Sequence, residues 1–216
     1  MQAAEIYLST ACFGNIQYFS KFVAAEKIYI EQHENYMKQS FRNRYEILTA
    51  NGKLSLVIPV EHNFGNKILI RDVRISYAQS WQKSQWRALE TAYNSSPFFE
   101  YYNNDLKHFF EYKEKYLFDF NTKITNKILE LLEIDKQIFF TEKYKTFDDD
   151  FMFDYRSSIS PKTRQIKEDR MFEPQKYYQV FAQKNGFKAN PSIIDLLFNE
   201  GTNAKDELIK CVKQSL

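Results

Sequence analysis

The pattern that most constrains this chain lies in its first 32 residues, where the spacing of apolar side chains switches twice. Glu5 to Ser9 reads as a short strand. Gly14 to Ala25 carries Ile16, Phe19, Phe22 and Val23 at helical spacing, and Lys27 to Gln32 alternates with Ile28 and Ile30 on one face. Strand, helix and strand in so short a span predict a β-α-β unit, which favours a parallel pair with a right-handed crossover. Next, Arg42 to Leu48 and Lys53 to Val60 flank Ala50-Asn51-Gly52, and Asn-Gly between two alternating runs is a strong hairpin signal. Ile68 to Ser76 reads as another alternating strand.

Helical spacing then takes over. Gln79 to Asn94 places Trp81, Leu89 and Tyr93 at helical intervals; Ser96-Pro97 reads as an N-cap and first helical position for a helix reaching about Tyr116; Asn121 to Ile134 buries Ile124, Ile128, Leu131 and Leu132. Gln137 to Tyr144 reads as a strand and Thr146 to Lys176 as a structured loop. Ile193 to Asn199 reads as a final helix, with Ser192 and Asp195 as a capping pair and Gly201 as its C-cap. The expected fold is α/β (or α+β): a mixed β-sheet with an N-terminal β-α-β unit and a β-hairpin, packed by several α-helices. Its 216 residues, against ~150 for a typical domain, predict one domain over 1–216, strand-rich over 1–78, helical over 79–135 and mixed and loop-rich over 136–216.

Composition excludes several functions. Thirty basic against 28 acidic residues leave +2, too little to argue for nucleic acid or an anionic membrane as partner. The 5 glycines, at 14, 52, 65, 186 and 201, are too dispersed for a glycine-rich phosphate cradle. Cys12 and Cys211 form no C-x-x-C and read as reduced thiols. No signal peptide and no apolar run of membrane-spanning length is visible, so a cytoplasmic protein is expected.

The densest polar stretch is His33 to Arg44, HENYMKQSFRNR. In extended chain Arg42 and Arg44 point to one side and Asn43 to the other. Two guanidiniums on one face, with Lys38 nearby and His33 and Tyr36 as neutral donors, suit a phosphate, nucleotide or carboxylate. The alternative is a solvated face with Glu31, Glu34 or Glu46 as ion-pair partners. His33 is a candidate general base; His62 and His108 have no metal-type neighbour in sequence, and no local pattern argues for a metal. Asp148-Asp149-Asp150 reads as an acidic loop. Asp154-Tyr155-Arg156 and Ser160-Pro161-Lys162 mix charges and hydroxyls as site loops do. Trp81 and its neighbours could stack on a base or sugar, although core packing explains aromatics equally.

Ile30-Glu31-Gln32-His33-Glu34-Asn35-Tyr36-Met37-Lys38-Gln39 with Arg42-Asn43-Arg44 resembles the WbqC-like family. So do Leu56-x-Ile58-Pro59-Val60, Asp72-Val73-Arg74-Ile75-Ser76, Trp81 and Trp86 leading into Ala92-Tyr93-Asn94-Ser95-x-Pro97-Phe98-Phe99, Ser158 to Lys162, and Ser192 to Gly201. The resemblance spans essentially the whole chain. It implies acyl or aminoacyl transfer to a nucleotide-linked amino-sugar in bacterial O-antigen-type polysaccharide synthesis. The substrate would be a nucleotide-sugar or an activated acyl donor, and no cofactor is specified. The alternative is a non-catalytic nucleotide-sugar or glycan binder serving a partner enzyme. In the transfer reading His33, Tyr36 and Asn43 are catalytic: His33 takes the amine proton, and Tyr36 or Asn43 donates to the oxyanion. Lys38, Arg42, Arg44, Trp81, Gln85, Asp154, Arg156 and Lys162 contact substrate. Relatives carry an aromatic where Cys12 stands and a histidine where Gln85 stands; Cys12 is the other possible nucleophile.

Overall fold

The computed structural model describes residues 3–61, 67–148, 151–162 and 168–213; His62, Gly65, Asp149 and Asp150 lie outside the described residues. The β-α-β unit forms as expected. Strand β1 (Ala3–Ser9) leads through α1 (Ile16–Ala24) to β2 (Ala25–Glu31), and the two strands pair in parallel with Tyr7 opposite Tyr29 and Ser9 opposite Glu31. Helix α1 begins where Asn15 accepts the Tyr18 N–H at 2.9 Å, a side-chain N-cap. Apart from half-buried Val23 the whole of α1 is buried, Gln17, Ser20 and Lys21 included, because the helices over Ile193–Glu200 and Ala204–Lys210 close over it.

The third strand arrives from far along the chain. β5 (Ile138–Phe140) pairs in parallel with β2, giving the order β1-β2-β5. Ile6, Leu8, Ile28 and Ile30 fall on one parity and are buried. Tyr7, Tyr29 and Phe139 share the other face, where Tyr7 and Tyr29 stack at 5.0 Å and Phe147 meets Tyr7 at 4.5 Å. The outer edge of β1 is capped by residues 153–155, through Tyr7 N–H to Phe153 O (3.0 Å) and Tyr155 N–H to Tyr7 O (2.8 Å).

The hairpin also forms, as β3 (Arg44–Thr49) and β4 (Gly52–Val57) paired antiparallel, with Thr49 opposite Gly52 and Gly52 at φ 99°. Helix α2 (Trp81–Tyr93) packs on it: the Tyr45 hydroxyl donates to Gln85 at 2.9 Å, Gln85 donates to Val57 O at 2.8 Å, and the Leu48 N–H donates to the Tyr93 hydroxyl at 3.1 Å. Helices α3 (Phe99–Glu111) and α4 (Leu117–Leu131) follow, then a one-turn α5 (Ala182–Asn185), α6 (Ile193–Glu200) and α7 (Ala204–Lys210). Phe13, Phe19, Phe22, Phe120 and Phe198 are almost wholly enclosed, so much of the chain's aromatic content is core. Each such ring contributes about 1.5–3 kcal/mol through burial. No described helix is long and apolar enough to cross a membrane.

Three local expectations are corrected. Ile68 to Ser76 is not one strand: residues 70–72 make a 3-10 turn, and only short bridges at Leu69, Arg74 and Ile75 pair with other segments. Ser96 and Pro97 do not cap α3, which starts at Phe99 after a turn pinned by the Phe98 N–H to Phe198 O at 3.0 Å, and which ends at Glu111. Ser192 makes no side-chain cap: its hydroxyl donates to Phe13 O at 2.8 Å, and Asp195 is buried.

Candidate functional site

Because β1, β2 and β5 run parallel, Ser9, Glu31 and Phe140 end on one edge of the sheet, the side where open α/β sheets gather ligands. Glu31 closes β2 and is fully buried. Its carboxylate accepts from the Thr141 hydroxyl (2.6 Å), the His33 N–H (2.9 Å), the Lys145 N–H (3.0 Å) and Arg156 Nη1 (3.0 Å). Arg156 also forks onto Asp154 at 2.8 and 2.7 Å, and its guanidinium lies 4.9 Å from the Tyr144 ring and 5.0 Å from that of Phe147.

A second pair interlocks with the first. Arg42 meets Glu34 in a bidentate fork at 2.8 and 2.5 Å and donates to the Arg156 carbonyl at 3.3 Å. Asn121, from α4, donates to the Arg42 carbonyl at 2.8 Å. Burial pushes the Glu34 carboxyl above its ordinary range, and the Arg42 charge opposes that shift. Removing one member of such a pair strands a buried charge, at about 3–5 kcal/mol. The network ties the connection after β2 to residues 141–145 and 154–156 and satisfies its own charges.

The expected site residues therefore divide. Arg42, Asp154 and Arg156 are brought together, each engaged with an internal partner. Trp81 is enclosed between Tyr77 and Phe120 with its indole N–H on Ser76 O (3.1 Å), and Gln85 is enclosed between Tyr45 and β4. Lys162 is half-buried in the loop after Ser160. Cys12 is fully enclosed and burial holds its thiol well above the ordinary range, so the nucleophile reading of Cys12 is withdrawn. His108 lies exposed on α3 against Tyr112, and among the described residues no cluster of three or more His, Cys, Asp or Glu is placed to hold a metal.

What stays uncommitted lies on the connection between β2 and β3 and on the first residue of β3. The His33 ring, half-buried, makes no hydrogen bond or ion pair with a described residue; Lys38 is exposed and likewise unpaired. Arg44 is half-buried, its Nε is enclosed without a hydrogen-bond partner, and no described carboxylate reaches its guanidinium. Arg42 and Arg44 both act electrostatically on the Tyr36 phenol, which interacts with Asn43 and whose pKa burial raises. Asn43 itself is held by its amide on Ile58 O at 2.9 Å.

Sequence reasoning overlooked the central part of Glu31, and of Asn121, Thr141 and Lys145 around it. Of the three acids named as ion-pair partners for the basic face, Glu34 does pair Arg42, whereas Glu31 takes Arg156 and Glu46 takes Lys53.

The pattern of residues 12–207 matches the model of the WbqC-like protein family. The chain belongs to the WbqC-like family. An uncharacterized protein of Mycobacterium tuberculosis is 26% identical over 216 aligned positions, covering 90% of this chain and 92% of that one. No solved structure matches significantly. Within this WbqC-like chain the matched stretch contains Glu31, Glu34, Arg42, Arg44 and Arg156, so the carboxyl-edge network lies wholly inside the family region.

Proposed function

We propose that this chain transfers an acyl or aminoacyl group to a nucleotide-linked amino-sugar in the cytoplasm, in the making of a bacterial O-antigen-type polysaccharide. The observation that carries the reading is Arg44: a partly enclosed guanidinium with no described carboxylate partner, beside Tyr36 and Asn43, at the start of β3 and two residues from Arg42 of the buried network. An unmatched guanidinium in that position suits a phosphate of the acceptor or donor, with Lys38 adding charge. Arg42, already paired with Glu34, holds the connection in shape instead of gripping substrate. In the transfer the amine nitrogen attacks the activated acyl carbonyl, the C–N bond forms, the donor's leaving group departs, and His33 takes the amine proton. Tyr36 or Asn43 donates to the oxyanion.

A binding role without catalysis has one observation in its favour: no described group hydrogen-bonds the His33 ring to orient it as a base. One assay separates the readings. Purified protein is incubated with a nucleotide-linked amino-sugar and acyl thioesters or aminoacyl adenylates, and the sugar is followed by mass. The expected result is an acylated product. His33→Ala should lower kcat by roughly 10²–10⁴-fold, and Arg44→Ala should raise KM at least about tenfold. Ligand protection against thermal unfolding, lost in Arg44→Ala but without turnover, would instead assign a carrier. Acylation at the normal rate in both variants would remove these residues from the mechanism.

A further inference from the structure

Three short segments, 59–61, 73–76 and 115–116, lie side by side. Bridges join Val60 to Ile75 and Arg74 to Tyr116; the Glu61 N–H donates to Arg74 O and the Ile75 N–H to Lys115 O, each at 3.0 Å. Val73 and Ile75 are buried, so alternation turns Arg74 outward between them. The turn between α3 and α4 sets Lys113, Glu114 and Lys115 beside it. With Glu61 and Tyr77 these residues line a groove of about 310 Å³, within the ~300–1,000 Å³ that small-molecule sites occupy.

The groove has an aromatic wall. Tyr77 is half-buried, its hydroxyl donates to Glu114 O at 2.9 Å, and its ring lies 5.8 Å from that of Trp81. The Lys113 ammonium sits 5.3 Å from the Tyr77 ring centre. The rim carries unmatched charge: Arg74, Lys113 and Lys115 are exposed, and none ion-pairs with a described carboxylate. Of the two acids present, Glu114 is engaged by Lys123, which leaves Glu61 against three cations.

We propose that this groove binds a phosphate-bearing carbohydrate, with Arg74 and Lys115 on the phosphate and the Tyr77 ring against the sugar. A guanidinium fork matches phosphate geometry, an ammonium adds a point charge, and a phenol ring offers an apolar face with a fixed polar end. None of these residues belongs to the connection between β2 and β3, so the site stands independently of the transfer reading.

The test titrates the full chain with glucose 1-phosphate, inorganic phosphate and glucose in turn, following tryptophan emission, because Trp81 adjoins Tyr77. Glucose 1-phosphate should bind at least about tenfold more tightly than phosphate or glucose alone, since each component supplies only part of the contact. Arg74→Gln with Lys115→Gln, both on exposed side chains, should weaken it at least about tenfold while thermal unfolding stays unchanged. Arg44→Ala should leave this titration as it is, which separates the groove from the transfer site. No response to glucose 1-phosphate, unchanged affinity in the double variant, or phosphate binding as tightly as the sugar phosphate would each overturn the proposal.

Discussion

A carboxyl at position 195 is 1% exposed and accepts from the Tyr93 hydroxyl at 2.8 Å and the Tyr177 hydroxyl at 2.5 Å, without a cation among its described partners. Burial raises its pKa from 3.8 to about 6, and the phenol donors only partly offset that. An acid whose folded pKa is raised stabilises the fold most when protonated. That contribution is complete below about pH 4 and is lost as the pH climbs through 6, a swing of about 3 kcal/mol. Asp195→Asn removes the ionisation and keeps an acceptor for a phenol. The stability difference between wild type and variant should therefore move by about 2 kcal/mol in favour of the variant between pH 4 and pH 7. Urea denaturation at the two values checks this, and a difference that does not change with pH would show that Asp195 is not held this way. Lys21 offers a contrast: equally enclosed, it has Asp169 at 2.5 Å and the Tyr155 ring at 4.2 Å, so burial lowers its pKa against the pull of a partner. The buried Lys21 meets its opposite charge; the buried Asp195 is solvated by hydroxyls.

At the scale of elements, α6 ends where Gly201 takes φ 56°, and a Cβ there would run into the Phe98 ring. Gly201→Ala combines a left-handed backbone penalty with overpacking, so a loss of roughly 2–4 kcal/mol is expected. Gly201→Asn should recover little of it, because with ψ −123° the residue lies outside the left-handed helical well that asparagine tolerates and its Cβ meets the same ring; thermal unfolding of both variants measures this. Gly201 was readable as a C-cap because the requirement is local. The same holds for the Asn51-Gly52 hairpin, for Phe19 and Phe22 on α1, and for Trp81, Leu89 and Tyr93 on α2: period and turn chemistry lie within a few residues of each other. Elements that answer to distant partners were misread. α3 starts at Phe99 because Phe198 holds the preceding turn, and the Ile68–Ser76 run bends because its bridges reach three different segments. The site divides along the same line. Glu34 was a named alternative for Arg42 eight residues away, whereas Arg156 reaches Glu31 across 125 residues and Asn121 reaches Arg42 across 79, which no spacing rule conveys.

Such distant bonds give the whole molecule its coherence. Gln17 and Asn190, 173 residues apart, exchange hydrogen bonds at 2.8 and 3.2 Å; Lys21 meets Asp169; Arg156 joins Lys145 and Asp154 to the end of β2. Arg156→Gln would leave Glu31 buried without its guanidinium, a cost of about 3–5 kcal/mol when unrelieved. The relief available is to open residues 141–145 and 154–156 locally. Amide exchange at Lys145 and Tyr155, whose N–H groups bond Glu31 and Tyr7, should accelerate at least about tenfold while the α2 amides change much less. Uniform acceleration would mean that Arg156 supports the fold as a whole. The sheet order has a separate consequence for a chain made from its N-terminus. β2 pairs on one side with β1, which is already synthesised, but its other neighbour is β5, about a hundred residues later. At translation rates of ~5–20 residues per second, that edge of β2 stays unpaired for roughly 5–20 s on the ribosome. During that interval Ile28 and Ile30 form part of an open strand edge, so the growing chain has a window for chaperone capture or aggregation that the finished protein closes.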